Sequence, residues 1–165
     1  MKISKIEFEN FRNFRDFGEI KCSTDGKVTI IYGKNGDGKT TLHQLFQWVF
    51  YGQVHFNKTT TDRLYNLQYE SECSFGDTFQ VKGCIDFEHA GVQYSLRRIY
   101  TYKKGLNDSE KIAEDVSLLH MDVDYNWRRI ENPKETIEKL LPSGLSDYFF
   151  FDGESKIGRA HVRTP

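Results

Sequence analysis

Gly33-Lys34-Asn35-Gly36-Asp37-Gly38-Lys39-Thr40-Thr41 satisfies G-x-x-x-x-G-K-[ST] throughout, the spacing of a phosphate-binding loop. The glycines let successive backbone N–H groups turn inward around a phosphate, and Lys39 adds a mobile positive charge. Thr40 sets a hydroxyl where a magnesium ion bridging the β- and γ-phosphates takes a ligand. The pattern carries weight only between a strand and a helix. Lys27-Val28-Thr29-Ile30-Ile31-Tyr32 is a β-branched run that predicts a buried parallel strand. Leu42, Leu45, Phe46, Val49 and Phe50 then recur at helical spacing up to Gly52, a C-terminal stop. A phosphate in the loop would rest on the N-terminus of that helix, where unpaired N–H groups and the dipole favour an anion.

The 165 residues leave room for one domain and a small appendage. A net charge of −1 excludes an overall basic field for nucleic acid, so any DNA contact is local or made by other parts of a larger protein. Thirteen Phe and nine Tyr are enough for a sizeable core. Cys22, Cys73 and Cys84 are odd in number and lack metal-ligand spacing, which reads as reduced thiols in a cytoplasmic protein. No apolar run is long enough to span a membrane, and no signal peptide is expected ahead of Lys2. Ile157-Gly158-Arg159-Ala160-His161-Val162 reads as the translation of a sequencing adapter, ATC GGA AGA GCA CAC GTC, so residues 156–165 are expected to be a non-native tail.

Alternation over Ile3, Ile6 and Phe8 predicts a first strand leading into Asn10-Phe11-Arg12-Asn13-Phe14-Arg15, and a second strand is expected near Glu19–Cys22. Residues 53–76 read as a polar loop with a short helix. Phe79–Glu88 and Val92–Tyr102 alternate across His89-Ala90-Gly91 as an antiparallel hairpin. Lys103–Glu114 reads as a charged loop, and Val116–Val123 with Trp127–Ile130 as another hairpin. Asn132, Pro133 and Glu135 mark the cap, first position and capping-box site of a helix running to Leu141. Pro142-Ser143-Gly144 ends it. Hairpins around a phosphate-loop unit point to an α/β P-loop domain with an antiparallel β-subdomain.

Three segments together resemble the N-terminal half of SMC-like ABC ATPases, the group of SMC proteins, RecF and DndD. They are the strand into Asn10-Phe11-Arg12, the loop Gly33–Leu42, and Phe149-Phe150-Phe151-Asp152-Gly153-Glu154 after a helix. The last is most similar to DndD, the ATPase of DNA phosphorothioation systems. The resemblance covers residues 1–155 and implies the N-terminal lobe of an ATPase head, cut before a long coiled coil. It also implies ATP and Mg2+ as cofactors, a head-to-head homodimer, and DNA with other DNA-modification proteins as partners. The signature loop, Walker B carboxylates and switch His of such heads lie in a second lobe, and none is recognisable here. This stretch alone is therefore expected to bind nucleotide weakly, if at all, and not to turn it over.

The residues expected to hold nucleotide are Gly33, Asn35, Gly36, Gly38, Lys39, Thr40 and Thr41, with Lys39 also the catalytic candidate. The resemblance adds Arg12 and Arg15, since a guanidinium can stack on adenine or pair with phosphate, though either also reads as a solvated strand-end charge. Thr40 is the first metal candidate. Asp152 and Glu154 fall where relatives carry a loop reaching magnesium or the attacking water; an Asp-Gly turn is the plain alternative. Arg97-Arg98 and Trp127-Arg128-Arg129 read as solvated hairpin faces, with phosphate contact as the functional alternative. Three functions fit: an ATPase of DNA sulfur modification, one of DNA repair or another phage-defence system, or a non-catalytic nucleotide-binding or dimerisation module.

Overall fold

In a computed structural model of the chain, the described residues are 1–25, 28–34, 36–54 and 63–145. Strands β1 (Lys2–Glu9) and β2 (Gly18–Lys21) precede helix α1 (Lys39–Tyr51) and the short helix α2 (Leu67–Glu72). Strands β3 (Thr78–His89), β4 (Val92–Lys104), β5 (Ser109–Met121) and β6 (Trp127–Arg129) follow, then helix α3 (Pro133–Leu140) and a 3-10 turn at Ser143–Leu145. The six strands form one sheet in the order β2-β1-β3-β4-β5-β6, with every neighbouring pair antiparallel.

Alternation sets the two faces of this sheet. Phe79, Val81, Ile85 and Phe87 of β3 pair with Tyr102, Tyr100, Leu96 and Tyr94 of β4 and turn to the core. α1 lies on that face, burying Leu42, Leu45, Trp48, Val49 and Phe50. Trp48 stacks on Phe11 at 5.2 Å and meets Tyr100 edge-on at 5.2 Å. Gly83 is what lets the helix come this close. A Cβ there would lie 2.5 Å from Val49 Cγ2 and 2.9 Å from the Trp48 ring.

The two hairpins, the helix after the loop and the final helix all form near their expected positions. Three expectations about elements and caps are corrected. The segment Val28–Lys34 forms no strand, and Val28, Ile30 and Tyr32 are 83%, 81% and 97% exposed; Lys27 lies outside the described residues. A strand buried on both faces needs a paired neighbour and a covering layer, and among the described residues no strand pairs with this segment. Ser109–Glu114 is strand rather than loop: it has no alternating apolar residues to show the period, yet its backbone pairs with β4. Asn132 stands at the N-cap of α3 without a side-chain cap bond, and Glu135 pairs with Lys139 at 2.7 Å one turn on.

The arginine pair on β4 divides. Arg97 is exposed as expected, but Arg98 is 2% exposed beneath α1, because neighbouring strand residues face opposite sides. Arg128 folds onto Asp122 at 2.8 Å within its own hairpin.

Candidate nucleotide-binding site

The phosphate loop leads directly into α1. Gly36 and Gly38 both take φ of 96°, the left-handed region open to glycine. Gly38 is the N-cap of α1, and no side chain caps the helix there. The first intrahelical bond runs from Leu42 N to Gly38 O at 2.8 Å. The N–H groups of the first turn therefore find no acceptor inside the helix, and they converge with the dipole on one spot. Asp37 steadies the loop: its carboxylate accepts from Lys34 N at 2.5 Å, and its own N–H donates to Lys34 O at 3.2 Å.

Lys39 bends back over the loop. Its Nζ donates to Gly33 O at 2.6 Å and Lys34 O at 2.7 Å. An ammonium has three donors, so a third remains for an anion between loop and helix. Thr40 is exposed at the start of the helix, whereas Thr41 is turned inward at 5% exposure. An uncapped helix end, a left-handed glycine and a lysine over the loop together fit a polyphosphate.

A second segment closes on this loop from the other side. After β1 the chain reverses through Asn10–Phe17, with Asn10 at φ 54° and Arg12 at φ 50°. These two left-handed residues are held by backbone and side-chain bonds together. The buried Asn10 donates from Nδ2 to Gln80 O at 2.9 Å and accepts from Asn66 N at 3.0 Å. Asn66 Nδ2 in turn donates to Arg12 O at 2.6 Å, while its Oδ1 caps α2 at Tyr69 N. So fixed, Arg12 reaches across to α1 and donates from Nη1 to Gln44 Oε1 at 2.9 Å. Burial draws its guanidinium down from the ordinary value. Phe14 packs against the loop itself: a Cβ on Gly38 would fall 2.8 Å from its Cε1.

Among the expected site residues, Gly33, Gly36, Gly38, Lys39, Thr40 and Thr41 come together at the head of α1, and Arg12 is tied to the same helix. Arg15 lies elsewhere, bonded through Nη2 to Glu72 of α2 at 2.6 Å. Asn35, Asp152 and Glu154 lie outside the described residues, as does the segment 156–165. Sequence reasoning missed Gln44, Phe14, Asn10 and Asn66. Of these, only Asn10 carried a local signal, since Asn tolerates the left-handed region. No group of three His, Cys, Asp or Glu able to hold a metal occurs among the described residues. No helix among them is long and apolar enough to cross a membrane.

The sequence profile of the AAA domain family matches residues 5–161. The chain belongs to the AAA domain family. Its fold is thus that of a P-loop ATPase domain with an antiparallel sheet. It is 28% identical to the DNA replication and repair protein RecF of Natranaerobius thermophilus over 114 residues, 68% of this chain and 26% of that protein. It is 28% identical to the DNA double-strand break repair Rad50 ATPase of Halobacterium salinarum over 99 residues, 59% of this chain and 10% of that protein. The chromosome partition protein Smc of Mesomycoplasma hyorhinis is 41% identical over 49 residues, 30% of this chain and 5% of that protein. This AAA domain spans about a quarter of the length of the RecF relatives it matches.

Proposed function

We propose that this chain is the ATP-binding lobe of an SMC- and RecF-like ATPase that works on DNA. ATP would bind at residues 33–41 and be hydrolysed by a head-to-head dimer of the full-length protein. The observation that carries this reading is the uncapped N-terminus of α1 with Lys39 folded over the loop before it. Bound ATP supplies a magnesium-neutralised triphosphate, the high-energy group of the reaction.

The chain's own residues then divide the work. Backbone N–H groups of Gly36, Gly38, Lys39, Thr40 and Thr41 would face the phosphates, with Gly33 and Asn35 as the further binding candidates of the loop. Lys39 exchanges its carbonyl partners for phosphate oxygens. The Thr40 hydroxyl would hold magnesium, with Asp152 and Glu154 as the further carboxylate candidates. Arg12, aimed by Gln44, meets the nucleotide from the strap, and Arg15 is the second arginine of that segment. Residues 1–155 form the lobe and 156–165 are foreign to it. The protein works in the cytoplasm with DNA and DNA-modification proteins.

Two settings have specific support. Sulfur modification of DNA is favoured by Phe149–Glu154 and its similarity to DndD. DNA repair is favoured by the RecF and Rad50 relatives. The activity is tested by ATP hydrolysis of the full-length protein with and without duplex DNA. Hydrolysis absent in both cases would refute the ATPase reading. Deleting the gene separates the settings: loss of phosphorothioate linkages from genomic DNA supports the first, and damage sensitivity with linkages intact supports the second.

A further inference from the structure

Arg98 is an unusual residue to find at 2% exposure beneath a helix. It sits on β4 opposite Gly83 and points at the C-terminal end of α1. Its Nε donates to Val49 O at 3.1 Å and its Nη2 to Phe50 O at 3.3 Å, two carbonyls of the last helical turn. Such carbonyls have no intrahelical donor of their own, and a cation there also opposes the negative end of the dipole. The next inward residue of β4 repeats the theme: Tyr100 Oη donates to the carbonyl of Gly52, the C-cap, at 3.0 Å.

The third edge of the guanidinium is spoken for by Glu114 of β5, which accepts from Arg98 Nη1. Glu114 also draws Lys134, in the first turn of α3, to 3.6 Å, and Lys111 to 3.8 Å. Lys111 itself lies over the Tyr100 ring, 4.2 Å from its centroid. A second tie between the two helices runs from Tyr51 Oη to Leu141 O at 3.2 Å. Burial lowers the Arg98 pKa, while Tyr100 and Glu114 act to raise it. Bonded on all edges, the guanidinium stays charged and planar.

We propose that Arg98, backed by Glu114, is a positioning residue for the phosphate loop: it anchors the far end of α1 to the antiparallel sheet and couples it to α3. The proposal rests on the ATP-binding reading of the loop. Its force is geometric. α1 has 13 residues, about 20 Å of helix, so a tilt of about 5° at the anchored end swings the other by roughly 1.7 Å. Displacement on that scale is enough to misdirect the first-turn N–H groups from a phosphate. In the other direction, phosphate pulling on the head of α1 would be felt at Glu114 and α3 through the same three contacts.

The test compares wild type, Arg98→Met, Arg98→Lys and Lys39→Ala in the full-length protein. Two quantities are read: the affinity for fluorescent mant-ATP with magnesium, and amide hydrogen exchange over residues 42–45, the first amides bonded within the helix. Met replaces the alkyl stem without donors, so R98M should fold with a lowered Tm, bind nucleotide about tenfold more weakly and exchange faster over 42–45. R98K, with one donor group, should fall between it and wild type. A merely structural Arg98 would lower Tm but leave affinity and head-of-helix exchange as in wild type below the transition. Unchanged affinity in R98M, with K39A abolishing binding, overturns this proposal while the ATP reading stands. If wild type binds no nucleotide, the ATP reading fails, and exchange over 42–45 still decides the anchoring. Should R98M not fold, R98K carries the test: weaker binding supports the anchor and wild-type binding removes it.

Discussion

The ring of Phe14 fills the space that a side chain on Gly38 would need. A Cβ at Gly38 would meet Phe14 Cε1 at 2.8 Å and Cζ at 2.9 Å, and Gly38 itself stands at φ 96°. The strap after β1 and the phosphate loop are therefore fitted to each other, with Phe14 stacked in turn on Phe8 at 4.3 Å. Gly38→Ala should suffer twice, from the clash and from a left-handed backbone costing about 1–2 kcal/mol. The expected result is loss of nucleotide binding with a folded sheet. Phe14→Ala in the same protein removes the clash but not the strain, so it should restore binding only in part. Circular dichroism and mant-ATP titration of the single and double variants read both.

Asn10 governs how the strap is shaped. Its buried amide bridges Gln80 O and Asn66 N while the residue holds φ 54°. Asn10→Ala would remove both of these part-buried bonds, at a cost of about 1–3 kcal/mol. We expect a clear drop in stability by urea denaturation. Arg12 should also lose its fixed direction, so nucleotide affinity should fall together with stability. Asn10→Gly tolerates the backbone but makes neither bond, so it should be destabilised less than Asn10→Ala.

Acid should weaken the tip of the β4–β5 hairpin. Asp108 accepts from Tyr65 Oη at 2.6 Å, from Arg63 Nη2 at 2.7 Å and from its neighbour Ser109 N at 2.9 Å. The Tyr65 hydroxyl first, and Arg63 after it, hold the Asp108 carboxyl below its ordinary 3.8. Tyr65 is pushed up to about 12 by burial and by the same carboxylate. A carboxyl depressed in the folded state stabilises above its unfolded value and loses that stabilisation as pH falls through its folded value. The Tm difference between wild type and Asp108→Asn should therefore be steady above about pH 5 and shrink below about pH 4. The effect should be modest and should diminish with salt, since the ion pair with Arg63 is half exposed. A difference that grows on acidification would contradict the assignment.

Much of the fold was legible because its signals are local. The period of β3 and β4, the turn at His89–Gly91, and the Gly52 stop of α1 each follow from neighbouring residues. Three features were not, for physical reasons. Val28–Tyr32 has strand propensity, but a strand exists only when another strand pairs with it. Ser109–Glu114 has no apolar face, so its strand is set by β4 rather than by its own pattern. Arg98 looks like any surface arginine until α1 places carbonyl ends above it. The site divides the same way: the loop residues are contiguous and spelled out, whereas Arg12 and Gln44 meet across 32 positions of sequence.

The central claim is that a nucleotide's phosphates sit at the head of α1 under Lys39. It is tested most directly by titrating full-length protein with mant-ATP and magnesium, wild type beside Lys39→Ala. Loss of an ammonium that bonds phosphate should weaken binding by about tenfold or more, with an unchanged fold since Lys39 is exposed. Saturable binding in wild type that collapses in K39A is the result this account predicts. Equal binding by the two proteins, or no binding by wild type at millimolar nucleotide, would contradict it.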